Sequence, residues 1–123
     1  MFKLLFYKDS SGHDPLAEYL GDLAQKALTS KNERIKLKKI IEYMELLEQH
    51  GTMLGEPYVK HIVDDIWELR PLKNRIFFFH WKDGTLIMLH HFAKTTKKTP
   101  PREIEQAKRN QKDFLERGFI DEE

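Results

Sequence analysis

Trp67-Glu68-Leu69-Arg70-Pro71-Leu72-Lys73-Asn74-Arg75-Ile76-Phe77-Phe78-Phe79 decides the fold, because it joins two strand patterns across a proline-marked break. Ile66 to Arg70 reads as a strand bounded by Pro71. Arg75 to Trp81 reads as a second strand, rich in the aromatic and β-branched residues that suit pleated backbone. Lys82-Asp83-Gly84 supplies a hairpin turn, and Thr85 to Phe92 returns as the third strand of an antiparallel run. The last two strands are apolar on both faces, which places them near the centre of a sheet.

Toward the N-terminus, Phe2 to Tyr7 gives a short aromatic strand closed by Asp9-Ser10-Ser11-Gly12. Asp14 as N-cap and Pro15 at the first helical position open a helix with the apolar stripe Leu16, Tyr19, Leu20, Leu23 and Leu28; Gly21 weakens this helix without ending it. Ser30 with Glu33 three residues later makes a capping-box pattern. It introduces a second helix carrying Ile35, Leu37, Ile40, Ile41, Met44 and Leu47, stopped by Gly51. Gly51 to Pro57 is a loop, and Tyr58 to Asp65 has mixed character that assigns it to neither helix nor strand.

Toward the C-terminus, Thr99-Pro100-Pro101 begins a last helix, with Glu103 and Glu105 in the first turn, where the macrodipole favours acids. Its apolar contacts are Ile104, Ala107, Phe114 and Leu115. Residues 117–123 end in Asp121-Glu122-Glu123 and are expected to form a frayed acidic tail. The order β-α-α-β-β-β-α is that of an α+β domain with a small antiparallel-rich sheet. We expect one domain over residues 1–123, with helices packed on one face of the sheet and the other face open to a ligand.

Composition narrows the chemistry. The 123 residues are 40% hydrophobic and 33% charged, enough apolar material for one core. The chain has no cysteine, which excludes disulfides, thiolate zinc sites and a cysteine nucleophile. The apolar opening Met1 to Tyr7 is stopped by Lys8-Asp9, too short for a signal-peptide core, and no stretch is long enough to span a bilayer. A cytoplasmic chain with no membrane partner is expected. The net charge of +1 conceals an asymmetry: between Arg70 and Arg109 ten Lys and Arg face three acids, a balance of +7. A basic half on a near-neutral chain suits a polyanion, and so does a merely solvated surface.

Two clusters hold the candidate chemistry. Arg70 and Arg75 sit at the facing ends of adjacent strands, where planar, permanently charged guanidinium forks can bracket one phosphodiester. His90-His91-Phe92-Ala93-Lys94-Thr95-Thr96-Lys97-Lys98 is the basic exit from a buried strand. By strand alternation His90, Phe92 and Lys94 share one face and His91 the other, so one histidine meets a ligand while its neighbour turns to the core. The alternation does not say which. His61, Asp64 and Asp65 lack a metal-ligand spacing, and no Gly-rich phosphate loop or serine elbow is present, so we expect neither metal nor cofactor. RNA cleavage needs neither, because the substrate brings its own 2′-hydroxyl to the phosphate.

Trp67 to Arg70, Arg75 opening its strand, Leu89 to Phe92, and Lys94 to Ala107 in the pattern Lys-x-Thr-x-Lys-Thr-Pro-x-x-Glu-Ile-x-x-Ala resemble the phage-derived HigB-like branch of the RelE toxin superfamily. The resemblance covers essentially the whole chain, and its second half is the specific part. It implies a RelE-like fold, metal-independent mRNA cleavage at or near the ribosome, and neutralisation by a helix-turn-helix antitoxin, with operator DNA reached only through that partner. By position it assigns transition-state charge to Arg75, substrate positioning to Arg70, and backbone phosphates or the leaving group to Lys94 and Lys98. His90 or His91 is the candidate proton carrier, and Lys60, Lys73 and Lys97 join Lys98 as candidate RNA-binding lysines. The C-terminal tyrosine or histidine that some members use is absent after Lys98, which leaves the general base unassigned. A non-catalytic RNA- or ribosome-binding module, or a co-repressor subunit, fits the same residues.

Overall fold

The computed structural model describes residues 1–117. Strand β1 (Lys3–Phe6) leads into helices α1 (Pro15–Ala27) and α2 (Lys31–His50), a short 3-10 turn at Gly51–Leu54, strands β2 (Val59–Val63), β3 (Ile66–Leu69), β4 (Asn74–Lys82) and β5 (Thr85–Ala93), and helix α3 (Pro101–Arg117). The strands form one five-stranded sheet in the order β1-β5-β4-β3-β2, with β1 parallel to β5 and the other neighbours antiparallel. The expected α+β class holds, with one added strand. Tyr58 to Asp65 yields β2, an edge strand whose Lys60 and His61 are exposed and whose register slips after His61. With one neighbour, a bulge and little buried surface, it carries too weak an alternation to read.

Local chemistry sets the boundaries. The Asp14 carboxylate accepts a hydrogen bond from the Ala17 amide, and the Ser30 hydroxyl accepts one from the Glu33 amide, so both helices are capped where the sequence places the caps. Gly51 ends α2 at φ 58°, with a Phe2 ring so close that an added Cβ would stand 2.6 Å from it. Asp83 and Gly84 both take positive φ, which gives the β4–β5 hairpin the backbone of a type I′ turn.

Two apolar cores lie on opposite sides of the sheet. On one, Leu16, Leu23, Ile40 and Leu47 from α1 and α2 pack against Leu69, Ile76, Phe78, Leu86 and Met88. On the other, Ala107 and Phe114 of α3 pack against Ile66, Phe77, Phe79, Ile87, Leu89 and Phe92. This corrects the expectation of helices on one face only. The β4 residues at 77 and 79 are as large and apolar as those at 76 and 78, so α3 must cover the second face. Only the end of that face beyond the start of α3 remains for a ligand.

The helical stripes are narrower than expected. Leu28 falls beyond α1 and is 75% exposed, and Ile35, Ile41 and Leu115 are each close to half exposed. Asn110 takes a buried position on α3 instead. Arg117 is the last residue of α3, and its guanidinium pairs with Asp113; the rest of the expected acidic tail, 118–123, lies outside the described residues.

Ile40 and Ile41 are neighbours in sequence but occupy opposite environments, 0% and 45% exposed. Ile40→Ala is expected to lower unfolding free energy by about 2–5 kcal/mol through lost burial and a residual cavity. Ile41→Ala should cost less than about 1 kcal/mol. Urea titrations of the two variants check the assignment of the α2 face.

Candidate functional site

The strand register builds the site row by row on the α3 side of the sheet. Lys60 pairs with Glu68, Glu68 with Phe77, and Phe77 with His90, which lines four strands' side chains across one face. The next row toward the sheet end holds Arg75 opposite Phe92, with Arg70 leaving β3 two residues after Glu68. Beyond it Lys94 donates its backbone amide to the Lys73 carbonyl at 2.8 Å, tying the exit of β5 to the β3–β4 turn. Arg70, Arg75, Lys94, His90 and Lys60 are thus brought to one face.

Glu68 sits among the cations. Its carboxylate is 1% exposed, and Oε1 lies 3.4 Å from Arg70 Nε and 3.8 Å from Arg75 Nε. Burial pushes the Glu68 carboxyl above the usual range, while Arg75, Arg70, Lys94 and Lys60 pull it back down. Burial also lowers the Arg75 guanidinium from its ordinary value, opposed by Glu68 and assisted by Arg70. Arg75 still carries its charge, because a guanidinium keeps its proton throughout the physiological range.

The arginines are anchored unequally. Arg75 Nη1 donates to the carbonyls of Leu72 and Asn74, both at 2.8 Å, which braces a turn whose Leu72 has φ 56°. Arg70 retains more freedom: its side chain is 22% exposed against 12% for Arg75, and its Nη1 stands 3.9 Å from the exposed Glu56. Two permanent positive charges therefore converge at the open end of the face, with Lys94 and Lys60 beside them. Such an arrangement has the charge to hold an anion, and the fork geometry suits phosphate.

The two histidines part company. His90 lies on the arginine face, its Nε2 2.7 Å from Glu103 Oε1 at the start of α3, and its ring stacks near Phe92. His91 points to the other core, stacked on Tyr19 with ring centroids 3.8 Å apart. Asn74 Oδ1 accepts from both the Tyr19 hydroxyl and His91 Nε2. Burial, with a smaller contribution from the neighbouring His90, pushes His91 down to about 4, so its ring is neutral near pH 7. The structure does not bring His91 to the arginines.

The remaining lysines are peripheral. Lys73 is exposed on the β3–β4 turn, and Lys97 and Lys98 are exposed between β5 and α3, where the Thr96 hydroxyl donates to the Lys98 carbonyl. His61 bonds the Asp64 carbonyl at 2.6 Å and meets Trp67 edge to face, while Asp64 pairs with Lys108 and Asp65 accepts from Gln111. Among the described residues no three histidines and acids are grouped as metal ligands.

Sequence reasoning missed Glu68 and Glu103 as members of the site, and Asn74 as the residue whose side chain holds His91 away from it while its carbonyl braces Arg75. Glu68 had a signal: alternation puts it on the face of Ile66 and Arg70, so an acid there inside a buried strand needs cationic company. Glu103 was explained by the helix dipole alone, and its pairing with His90 depends on the path of residues 94–100.

The model of a family described as Phage derived protein Gp49-like (DUF891) matches residues 26–112, a span that includes every residue of this site. No curated protein matches the chain.

A neutral His91 links stability to pH. Its folded value of about 4 lies below the ordinary 6.5, so the stabilisation is present above about pH 6.5 and is lost as pH falls toward 4, where the folded ring also protonates. Between pH 7 and pH 5 this group alone should remove about 2 kcal/mol from the unfolding free energy. His91→Asn is expected to be less stable at pH 7 and to lack that part of the decline, as read by denaturant titration at both pH values.

Proposed function

We propose that this chain, which belongs to the Gp49-like family of phage-derived proteins associated with the toxins of toxin–antitoxin systems, is a metal-independent endoribonuclease acting on mRNA. The observation that carries the reading is the convergence of Arg70 and Arg75 at the open end of the sheet face, with Lys94 and Lys60 beside them. A toxin of this kind has an antitoxin partner. We further propose that the partner is a helix-turn-helix protein through which the pair reaches operator DNA, and that the mRNA is cut on the ribosome.

In the proposed reaction the substrate's 2′-oxygen attacks the adjacent phosphorus as the bond to the 5′-oxygen breaks in line. The 2′-hydroxyl proton leaves to a base, and a proton is delivered to the departing 5′-oxygen. The products are a 2′,3′-cyclic phosphate and a 5′-hydroxyl. Arg75, fixed by two carbonyls, is the group suited to the added negative charge of the phosphorane, because a preorganised donor needs no rearrangement when charge develops. The freer Arg70 orients the phosphate, and Lys94 with Lys98 engages the flanking backbone or the leaving group. His90 is the proton carrier, since it is the histidine on the arginine face. Lys73, Lys97 and Lys60 extend the basic track for single-stranded RNA.

Primer extension after brief expression should show new RNA 5′ ends. Arg75→Ala should reduce their rate of appearance about 100-fold or more, the usual size of losing one preorganised charge donor. Transcripts that stay intact with the wild-type chain, while it still binds RNA, would establish the non-catalytic binding module instead.

Binding should fall steeply with salt, because RNA-bound lysines release condensed counterions. Replacing Lys94 and Lys98 together by alanine should flatten the plot of log affinity against log salt by about 0.7 per lysine. An unchanged slope, measured on an uncleavable 2′-O-methyl RNA, would remove these lysines from the binding track.

A further inference from the structure

We infer that Glu68 is the positioning residue of the arginine pair: it holds Arg70 and Arg75 by their Nε edges, leaving the outer end of the Arg70 fork and, with Nη1 of Arg75 engaged by the turn carbonyls, Nη2 of Arg75 for one RNA phosphate. The inference rests on the reading of that pair as the phosphate site. It concerns a residue that never meets the substrate itself, since the Glu68 carboxylate is buried beneath the guanidiniums and Oε2 is closed to solvent.

One oxygen serves both arginines. Oε1 stands 3.4 Å from Arg70 Nε and 3.8 Å from Arg75 Nε, so each side chain turns the same edge toward the same point. Without an anion between them the two cations repel, and Arg70 adds to what burial chiefly does in lowering the Arg75 guanidinium. The sheet holds the carboxylate in place. Glu68 lies in register between Lys60 on β2 and the fully buried Phe77 on β4, and its neighbours Trp67 and Leu69 point to the opposite face.

The energetics argue that the role is geometric. Glu68 Oε2, Arg70 Nε and Arg75 Nε are all buried without a hydrogen bond among the described residues, so the cluster is held by charge at ionic distance. A buried ion pair with unsatisfied atoms is a poor stabiliser, and an apolar residue of similar size would serve folding better. What an apolar residue does not supply is a fixed negative point that makes two guanidiniums converge.

This predicts a division between binding and turnover. Glu68→Gln removes one negative charge, so an RNA phosphate meets a more positive but less ordered pair. KM for a short single-stranded RNA should stay the same or fall, while kcat drops about 10-fold or more, as expected when a reacting group is misplaced by a fraction of an ångström. Glu68→Asp, which restores the charge, should recover part of kcat. The arginine Nε–H signals of the full chain, assigned by NMR, give a readout independent of cleavage. In the wild type the Arg70 and Arg75 signals should be separate from those of solvated arginines, and in Glu68→Gln they should collapse toward them.

Unchanged Nε–H signals in a folded Glu68→Gln overturn the inference, whether or not the wild type cuts RNA. So does a parallel loss of kcat and thermal stability that Glu68→Asp shares in full, which would mark a merely structural carboxylate. A wild type that shows the displaced signals and loses them in Glu68→Gln, yet leaves RNA intact, supports the positioning role and sinks the endoribonuclease reading alone.

Discussion

Strand β4 presents four large apolar side chains in a row, Ile76 to Phe79, and a pleated strand sends successive residues to opposite faces. Neither face can then be left to water, and the remaining architecture follows. The α1–α2 pair covers one side through Ile40, Leu47, Leu16 and Leu23, and α3 covers the other through Ala107 and Phe114. Because α3 begins only at Pro101, after the exposed residues 95–98, its cover thins beyond the row of His90 and Glu103. In the next row Phe92 is still buried in the α3 core while Arg75, opposite it, lies at the margin of that packing, and that is where the cations gather.

Placing charges at the margin of a core resolves a conflict between packing and chemistry. A guanidinium inside the core would cost several kcal/mol in lost hydration, and one fully in water would be screened and mobile. Arg70 and Arg75, at 22% and 12% exposure, stand between these limits, where a phosphate feels a field weakly screened by solvent. Glu68 makes the placement tenable from below and the turn carbonyls of Leu72 and Asn74 from the side. The strained turn, the buried acid and the pair of arginines form one device.

How much of this was legible from the residues follows from the range of each interaction. Helix caps at Asp14 and Ser30, the hairpin at Asp83-Gly84 and the joint face of His90, Phe92 and Lys94 are local features, and local chemistry declared them. The edge strand β2 was not legible, because Lys60 and His61 face solvent and the bulge after His61 breaks its period. Which side α3 would take was hidden too, since Ala107 and Phe114 show that the helix has an apolar face without naming the surface it meets. The arginines of the site could be picked out by their positions at strand ends. The acids of the site, Glu68 beside the two arginines and Glu103 beside His90, become partners only through contacts 2 to 13 residues apart that the folded path of β3, β4 and the 94–100 segment creates.

The separation of the two histidines shows how a small backbone irregularity distributes roles. Phe77 pairs with His90 but Phe78 pairs with Met88, so Leu89 is an extra residue in β5. Counting down from Leu86 and Met88, which face α1 and α2, an unbroken strand would put His90 on that side and His91 beneath the arginines. The bulge reverses the phase: His90 and Phe92 join Arg75, and His91 enters the core beside Tyr19 and Asn74. The carbonyl that the bulge frees is not left bare, since Asn110 of α3 donates to Leu89 O at 2.8 Å. A buried asparagine on the helix face between Ala107 and Phe114 thus meets the backbone at the bulge that sets His90, and not His91, in the row beside Arg75.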